Sequence, residues 1–311
     1  MAHLIKLEDY VSRYQSDLHR YPSQFTRMKK ERWEFLKTEW ERLQQADHTN
    51  IEQSQDEVLI EKEGSFFSQA VRKMKSWKAK RSQSNIEELD VEEEKEKMDP
   101  SLSLEQVKER FLQELFHSQL RWASSSLLEE SSLHPRYKRD EVLRFFTQHL
   151  PDNFFVMYRP VFYIKKAPIE LDIILITPNE VICVALLDGH EHSIFEASSE
   201  RFWTEYIDQT KKKRISPLLS LSRMSGVIKP ILEAEELSIP IRKVVLSPNG
   251  LIDGHLTGKK VEFIDQRNKA DWHYKLAKNP SPIKHQQLKA AEVLLGYTHT
   301  MAFQRMENQE T

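Results

Sequence analysis

The 311-residue chain holds a single cysteine, Cys183. One thiol excludes an intrachain disulfide and fits a reducing compartment. Cys183 sits inside an apolar run, so inert packing is its expected role. Glycine is also scarce, at seven residues, and neither a P-loop nor a dinucleotide fingerprint occurs. No apolar run approaches the ~20 residues of a membrane span. Lys6, Glu8 and Asp9 stand where a signal peptide needs an apolar core. These absences predict a cytoplasmic protein without a transmembrane segment. Net charge is only -2, so any contact with nucleic acid must come from a local basic patch.

What the chain does have is charge and periodicity. Charged residues make up 30% and hydrophobic ones 39%, enough for a core with charged extensions. Leu4, Leu7, Val11, Tyr14, Leu18 and Tyr21 recur at steps of three and four, which predicts a helix. Tyr21-Pro22-Ser23 is expected to end it, because proline cannot continue a helix. Trp33, Leu36, Trp40 and Leu43 form a second stripe. Residues 1–45 therefore read as a helical hairpin or coiled-coil-like region, suited to a protein partner or to self-association.

Residues 46–101 read as a charged linker. Within it, 66–81 predicts a basic amphipathic helix, with Phe67, Val71, Met74 and Trp77 on one face and Arg72, Lys73 and Lys75 among its cations. An acidic run, 87–99, follows. The basic helix has three readings: packing on another helix, peripheral contact with a membrane surface, or phosphate contact with nucleic acid.

Residues 102–311 are expected to hold a helical lead-in and a mixed α/β domain. Ser103 with Gln106 suggests a capping box. A helix is predicted over 139–150, then strands over 154–163, 169–177, 181–187 and 193–195. A helix over 216–235 follows, with Pro217 in its first turn and a kink at Pro230. Strands over 241–246 and 260–264 and a helix over 285–297 complete the order.

The most informative stretch is the hairpin around Thr177-Pro178-Asn179-Glu180. Pro178 and Asn179 suit the two loop positions. Thr177 then faces Glu180, Asp172 faces Ala185 and Glu170 faces Leu187. Residues directly opposite share a face, so Glu170, Asp172, Ala185 and Leu187 are expected to form one patch.

From about Glu141 to Ile264 this pattern resembles NERD, the nuclease-related domain, a branch of the PD-(D/E)xK nuclease-like families. The resemblance implies a restriction-endonuclease-like sheet flanked by helices and a Mg²⁺-dependent nuclease site. It assigns Asp172 as the metal-binding acid and Glu141 as the upstream acid. Trp203 fits a family tryptophan, and Ser216-Pro217-Leu218 resembles its Asn-Pro-Leu. Ser220 stands for a glutamine and Glu180 for a glycine. Ala185-Leu186-Leu187 stands where the family has Glu-x-Lys. Alanine offers a metal no oxygen, and leucine offers the attacking water no charge. Glu141, Glu170 and Asp172 are therefore expected to be a vestigial catalytic set, with Asp172 the remaining weak metal ligand.

His190-Glu191-His192 beside Asp188 has metal-ligand residue types but lacks a defined third partner. Lys211, Lys212, Lys213 and Arg214 form a compact basic patch leading into a helix, a candidate for phosphate contact. The leading expectation is a non-catalytic, nucleic-acid-associated or interaction protein, a pseudoenzyme without a cofactor. The alternatives are a Mg²⁺ nuclease with relocated residues and a helical assembly or docking factor.

Overall fold

The computed structural model describes residues 1–53, 99, 101–254, 260–278 and 281–304. The elements run β1 (His3–Leu7), α1 (Tyr21–Gln53), α2 (Leu104–Trp122), β2 (Glu129–Glu130), α3 (Glu141–Gln148), β3 (Phe155–Tyr158), β4 (Val161–Ile164) and β5 (Ala167–Glu170). Then come β6 (Ile173–Ile176), β7 (Val181–Leu186), β8 (Ile194–Glu196), β9 (Phe202–Ile207), β10 (Thr210–Ile215), α4 (Pro217–Ala234) and β11 (Ile241–Leu246). The last are β12 (Leu251–Asp253), β13 (Glu262–Ile264), α5 (Lys269–Ala277), α6 (His285–Gly296) and β14 (Phe303–Gln304). The fold is mixed α/β, with helices beside multi-stranded sheets and a helical region near the N-terminus.

The chain divides into two units, Met1–Glu31 with Arg110–Thr311, and Arg32–Glu109. In the first, a six-stranded sheet has the order β1-β3-β6-β7-β11-β13. β3, β6 and β7 are antiparallel neighbours, β1 lies parallel to β3, and β11 lies parallel to β7 and β13. β6 is buried along its whole length, and β7 from Val181 to Ala185. Such continuous apolar runs mark strands covered on both faces. Phe116 of α2, Phe146 of α3 and Trp272 of α5 pack on Val156, Ile173, Leu175 and Ile182. Each fully buried side chain of this size contributes about 1.5–3 kcal/mol. A second sheet has the order β10-β9-β8-β12, and β4–β5 forms a separate two-stranded hairpin.

In the second unit, the Ser103 backbone N–H donates to Gln106 Oε1 at 2.8 Å and the Gln106 N–H to Ser103 Oγ at 3.3 Å, the reciprocal cap expected at the start of α2. Leu36 is buried, and Trp40 Nε1 donates to the Leu102 carbonyl at 2.7 Å. The expected basic helix over 66–81, with Arg72, Lys73 and Lys75, lies outside the described residues, as does nearly all of the acidic run. Among the described residues, no helix is long and apolar enough to cross a membrane.

The N-terminal helical hairpin is not what forms. Leu4 and Leu7 lie on a strand, β1, every residue of which is buried. Tyr14 belongs to a short 3-10 turn, Arg13–Gln15, capped by Ser12. The helical spacing was coincidental, because pairing with β3 rewards an extended chain more than one amphipathic stripe does. Pro22 starts a helix instead of ending one, since α1 begins at Tyr21 and proline is tolerated in a first turn. Residues 46–53, read as linker, continue α1. The strand predicted over 154–163 breaks at Arg159, whose φ is 49°. The one over 169–177 divides into β5 and β6, which join different sheets. α4 continues through Pro230.

Candidate nuclease-like site

The β6–β7 hairpin has the expected register: Ile173 faces Val184, Ile174 Cys183, Leu175 Ile182 and Ile176 Val181. The turn is held locally. Thr177 Oγ1 accepts the N–H of Glu180 at 3.1 Å and donates to its carbonyl at 2.9 Å. Asp172 precedes β6 by one residue, and its carbonyl accepts the Arg159 N–H at 2.7 Å. That bond ties Asp172 to the break after β3.

The Asp172 carboxylate is largely enclosed, and burial raises its pKa above the ordinary aspartate value. Four influences oppose the rise: the Ser220 hydroxyl, the Leu186 backbone N–H, and the charges of Arg159 and Arg223. Ser220 Oγ donates to Oδ2 at 2.9 Å. Ser220 and Arg223 lie three residues apart on α4, so they share a helical face. Ala185 is fully buried and Leu187 nearly so. The groups acting on the Asp172 carboxylate are thus one hydroxyl, one backbone N–H and two guanidinium charges.

Glu170 does not join this patch. It closes the β4–β5 hairpin opposite Val161 and is exposed. The register argument carried it one sheet too far, because the chain leaves the β6 ladder at Leu171-Asp172. Glu141 opens α3 and is exposed. Its neighbour Asp140 is the acid with structural work. Asp140 Oδ1 accepts the Leu143 N–H at 2.9 Å, and Oδ2 accepts the Tyr158 hydroxyl at 2.8 Å. Asp140 and Asp188 both lie within electrostatic reach of Arg159. Lys165 and Lys166, conceivable stand-ins for the missing lysine, form the β4–β5 turn with φ of 49° and 66°.

The basic run is itself a strand, β10, and it leads into α4 as expected. Lys211, Lys212 and Lys213 are exposed on β10, the outermost strand of the second sheet. Arg214 differs. Its Nε lies 2.7 Å from Glu205 Oε2, a charge contact lacking good hydrogen-bond direction, and its guanidinium donates to the Asp188 carbonyl at 2.8 Å. Glu205 is fully buried, and Ser193 Oγ donates to its other oxygen at 2.8 Å. Trp203 is buried, with Nε1 donating to the Ser198 carbonyl at 2.7 Å. His190, Glu191 and His192 are exposed on a loop.

Mg²⁺ requires several oxygen ligands in near-octahedral array. Asp172 supplies one carboxylate, already hydrogen-bonded and neighboured by two cations. Among the described residues, no three His, Cys, Asp or Glu side chains gather as a metal-binding group. These residues do not fit a catalytic Mg²⁺, and no step is routed through one. Arg159, Arg223 and Asp140 were missed in the sequence. The Ser220–Arg223 spacing was a usable signal; Arg159 announced itself only as the residue before Pro160.

Residues 136–248 match NERD, the nuclease-related domain. The match contains Asp172, Trp203, Ser220 and the basic strand, and it supports a nuclease-like scaffold. It leaves out β1 and β13, the two borders of the main sheet. The chain is also 31% identical over 123 residues to an RNA 2',3'-cyclic phosphodiesterase from Geobacillus stearothermophilus. That similarity covers 38% of this chain and 36% of the relative, so the chain spans about a third of that protein's length. No solved structure matches the chain.

Proposed function

We propose that this protein uses a NERD scaffold to hold nucleic acid through its phosphates without metal-dependent cleavage. The observation that supports this reading most is the company of Asp172. The charges of Arg159 and Arg223 act on it, while Ala185 and Leu187 stand where the family has its glutamate and lysine. Guanidinium binds phosphate oxygens through paired N–H groups and stays charged at all relevant pH. In this reading Asp172 and Ser220 orient the cations, and Lys211, Lys212 and Lys213 add charge along the β10 edge. Action in the cytoplasm, and a protein partner or self-association through α1, belong to the same proposal.

The test incubates the full chain with single- and double-stranded RNA and DNA, and with RNA ending in a 2',3'-cyclic phosphate, in Mg²⁺ or Mn²⁺. Salt-dependent binding without turnover is expected, and Arg223→Met should reduce the slope of log affinity against log salt by about one. Turnover abolished by Asp172→Ala would restore the nuclease alternative. Turnover of the cyclic phosphate alone would align the chain with its phosphodiesterase relative. Absence of binding and turnover, with a protein captured through α1, would favour an assembly or docking factor.

A further inference from the structure

Side chains on a strand alternate between faces, and the second sheet uses its two faces for different purposes. Trp203, Glu205, Phe195 and Ile252 point inward and are buried. The opposite face carries Phe202, Thr204 and Tyr206 on β9, aligned with Ile215, Lys213 and Lys211 on β10. Phe202 is 45% exposed, a large value for a phenylalanine. Tyr206 faces Lys211 on one side and Ile194 on the other. Its hydroxyl donates to Glu196 Oε2 at 2.8 Å, which fixes the ring's orientation.

Each ring already has a cation beside it. Lys211 Nζ lies 5.1 Å from the Tyr206 ring centre, and the Arg201 guanidinium carbon 5.7 Å from that of Phe202. The acids of this face, Glu196 and Asp253, lie on β8 and β12, away from β10. Charge therefore falls from basic to acidic across the sheet, with the aromatics next to the basic edge. This order suits a polyanion whose backbone follows β10 and whose flat groups turn inward over β9.

We propose that the outer face of β8–β10 binds single-stranded nucleic acid, stacking bases on Phe202 and Tyr206 while Lys211 and Lys213 hold the phosphates. The inference rests on the reading above that nucleic acid is the ligand, and it adds the strand state and the surface. The two rings are four strand steps apart, roughly 13 Å. Consecutive phosphates of one duplex strand advance only about 3.4 Å. The rings thus address bases separated along an extended strand. In a duplex, paired and stacked bases have no free face to offer. Stacking on aromatic side chains over a lysine-lined surface is a general means of single-strand recognition that tolerates many sequences.

The experiment measures fluorescence anisotropy of the full chain with a labelled twelve-nucleotide oligouridine, and with an RNA duplex of equal length. Phe202→Leu and Tyr206→Leu keep apolar bulk and remove the ring. Each should weaken oligouridine binding about tenfold and leave duplex binding and salt slope unchanged. Lys211→Gln with Lys213→Gln should instead lower the single-strand salt slope by about 1.4. Thermal unfolding checks that the variants fold. If a leucine variant unfolds, photocrosslinking of 5-iodouridine RNA to the unaltered protein replaces it, with adducts expected at Phe202 or Tyr206. Unchanged oligouridine affinity in folded leucine variants, or crosslinks confined to other strands, would overturn the stacking surface while leaving phosphate binding intact. A wild-type protein that binds neither oligonucleotide would overturn the functional reading itself.

Discussion

Asp172 shows how one side chain can be anticipated while its surroundings are not. Its place at the open end of the β6–β7 ladder, one residue before Ile173, followed from a two-residue turn, a local matter. The guanidinium groups near it come from the end of β3 and from α4, which only tertiary packing brings together. Since Ser220 stabilises the charged form, Ser220→Ala should push the Asp172 pKa further up and cost about 1 kcal/mol. Carboxyl-carbon NMR titration and urea unfolding measure the two effects; an unmoved pKa would detach Ser220 from this role. Lys6 permits a second test. Burial pulls its pKa from 10.5 down to about 7, against the opposing charge of Asp9. Its Nζ donates to the Tyr10 carbonyl at 2.6 Å and to Thr300 Oγ1 at 2.9 Å. The unfolded lysine keeps its proton up to about pH 10.5 and the folded one releases it near 7, so stability rises with pH between these values. The penalty is complete below pH 7. Cys183, whose thiol burial pushes from 9.0 up to about 12, acts in the opposite direction only above pH 9. Between pH 7 and 9 the wild type should therefore gain up to about 1.4 kcal/mol per pH unit over Lys6→Met. Parallel urea titrations without such divergence would refute a depressed Lys6.

At the level of elements, legibility followed sequence distance. The β6–β7 hairpin, the capping box at α2 and the proline-led start of α4 depend on neighbours within a few residues, and all form as expected. β1 depends on β3, half the chain away, and its residues spelled a helix until that partner was known. The run 211–214 failed for a related reason. As one basic patch it looked uniform, but side chains on the same strand meet different neighbours. Arg214 reaches buried Glu205, whereas Lys212, on the same face of β10, stays in solvent. Arg214→Met leaves that carboxylate with only Ser193 and should cost about 3 kcal/mol. Lys212→Met should change stability by less than about 0.5 kcal/mol. Chemical denaturation of both variants gives the comparison; equal losses would mean that the ion pair is not what secures β9 to β10.

Over the whole molecule, the NERD match and the folded sheet have different limits. Residues 136–248 supply β3, β6, β7 and β11, while β1 and β13 come from outside the match. Expressed alone, that segment would leave β3 and β11 as open edges, which invite pairing between chains. It should be recovered as aggregate, with the full chain soluble under the same conditions; a well-behaved monomer by size-exclusion chromatography would contradict this. The parallel seat of β1 beside β3 also dictates a sequence of events at the ribosome. The β1 ribbon, with Leu4, Ile5 and Leu7 destined for the interior, finds no docking edge until Phe155–Tyr158 has emerged. At ordinary translation speeds of about 5–20 residues per second, that interval is on the order of ten seconds or longer. For that time the nascent β1 segment is greasy and solitary, the kind of stretch that chaperones attend.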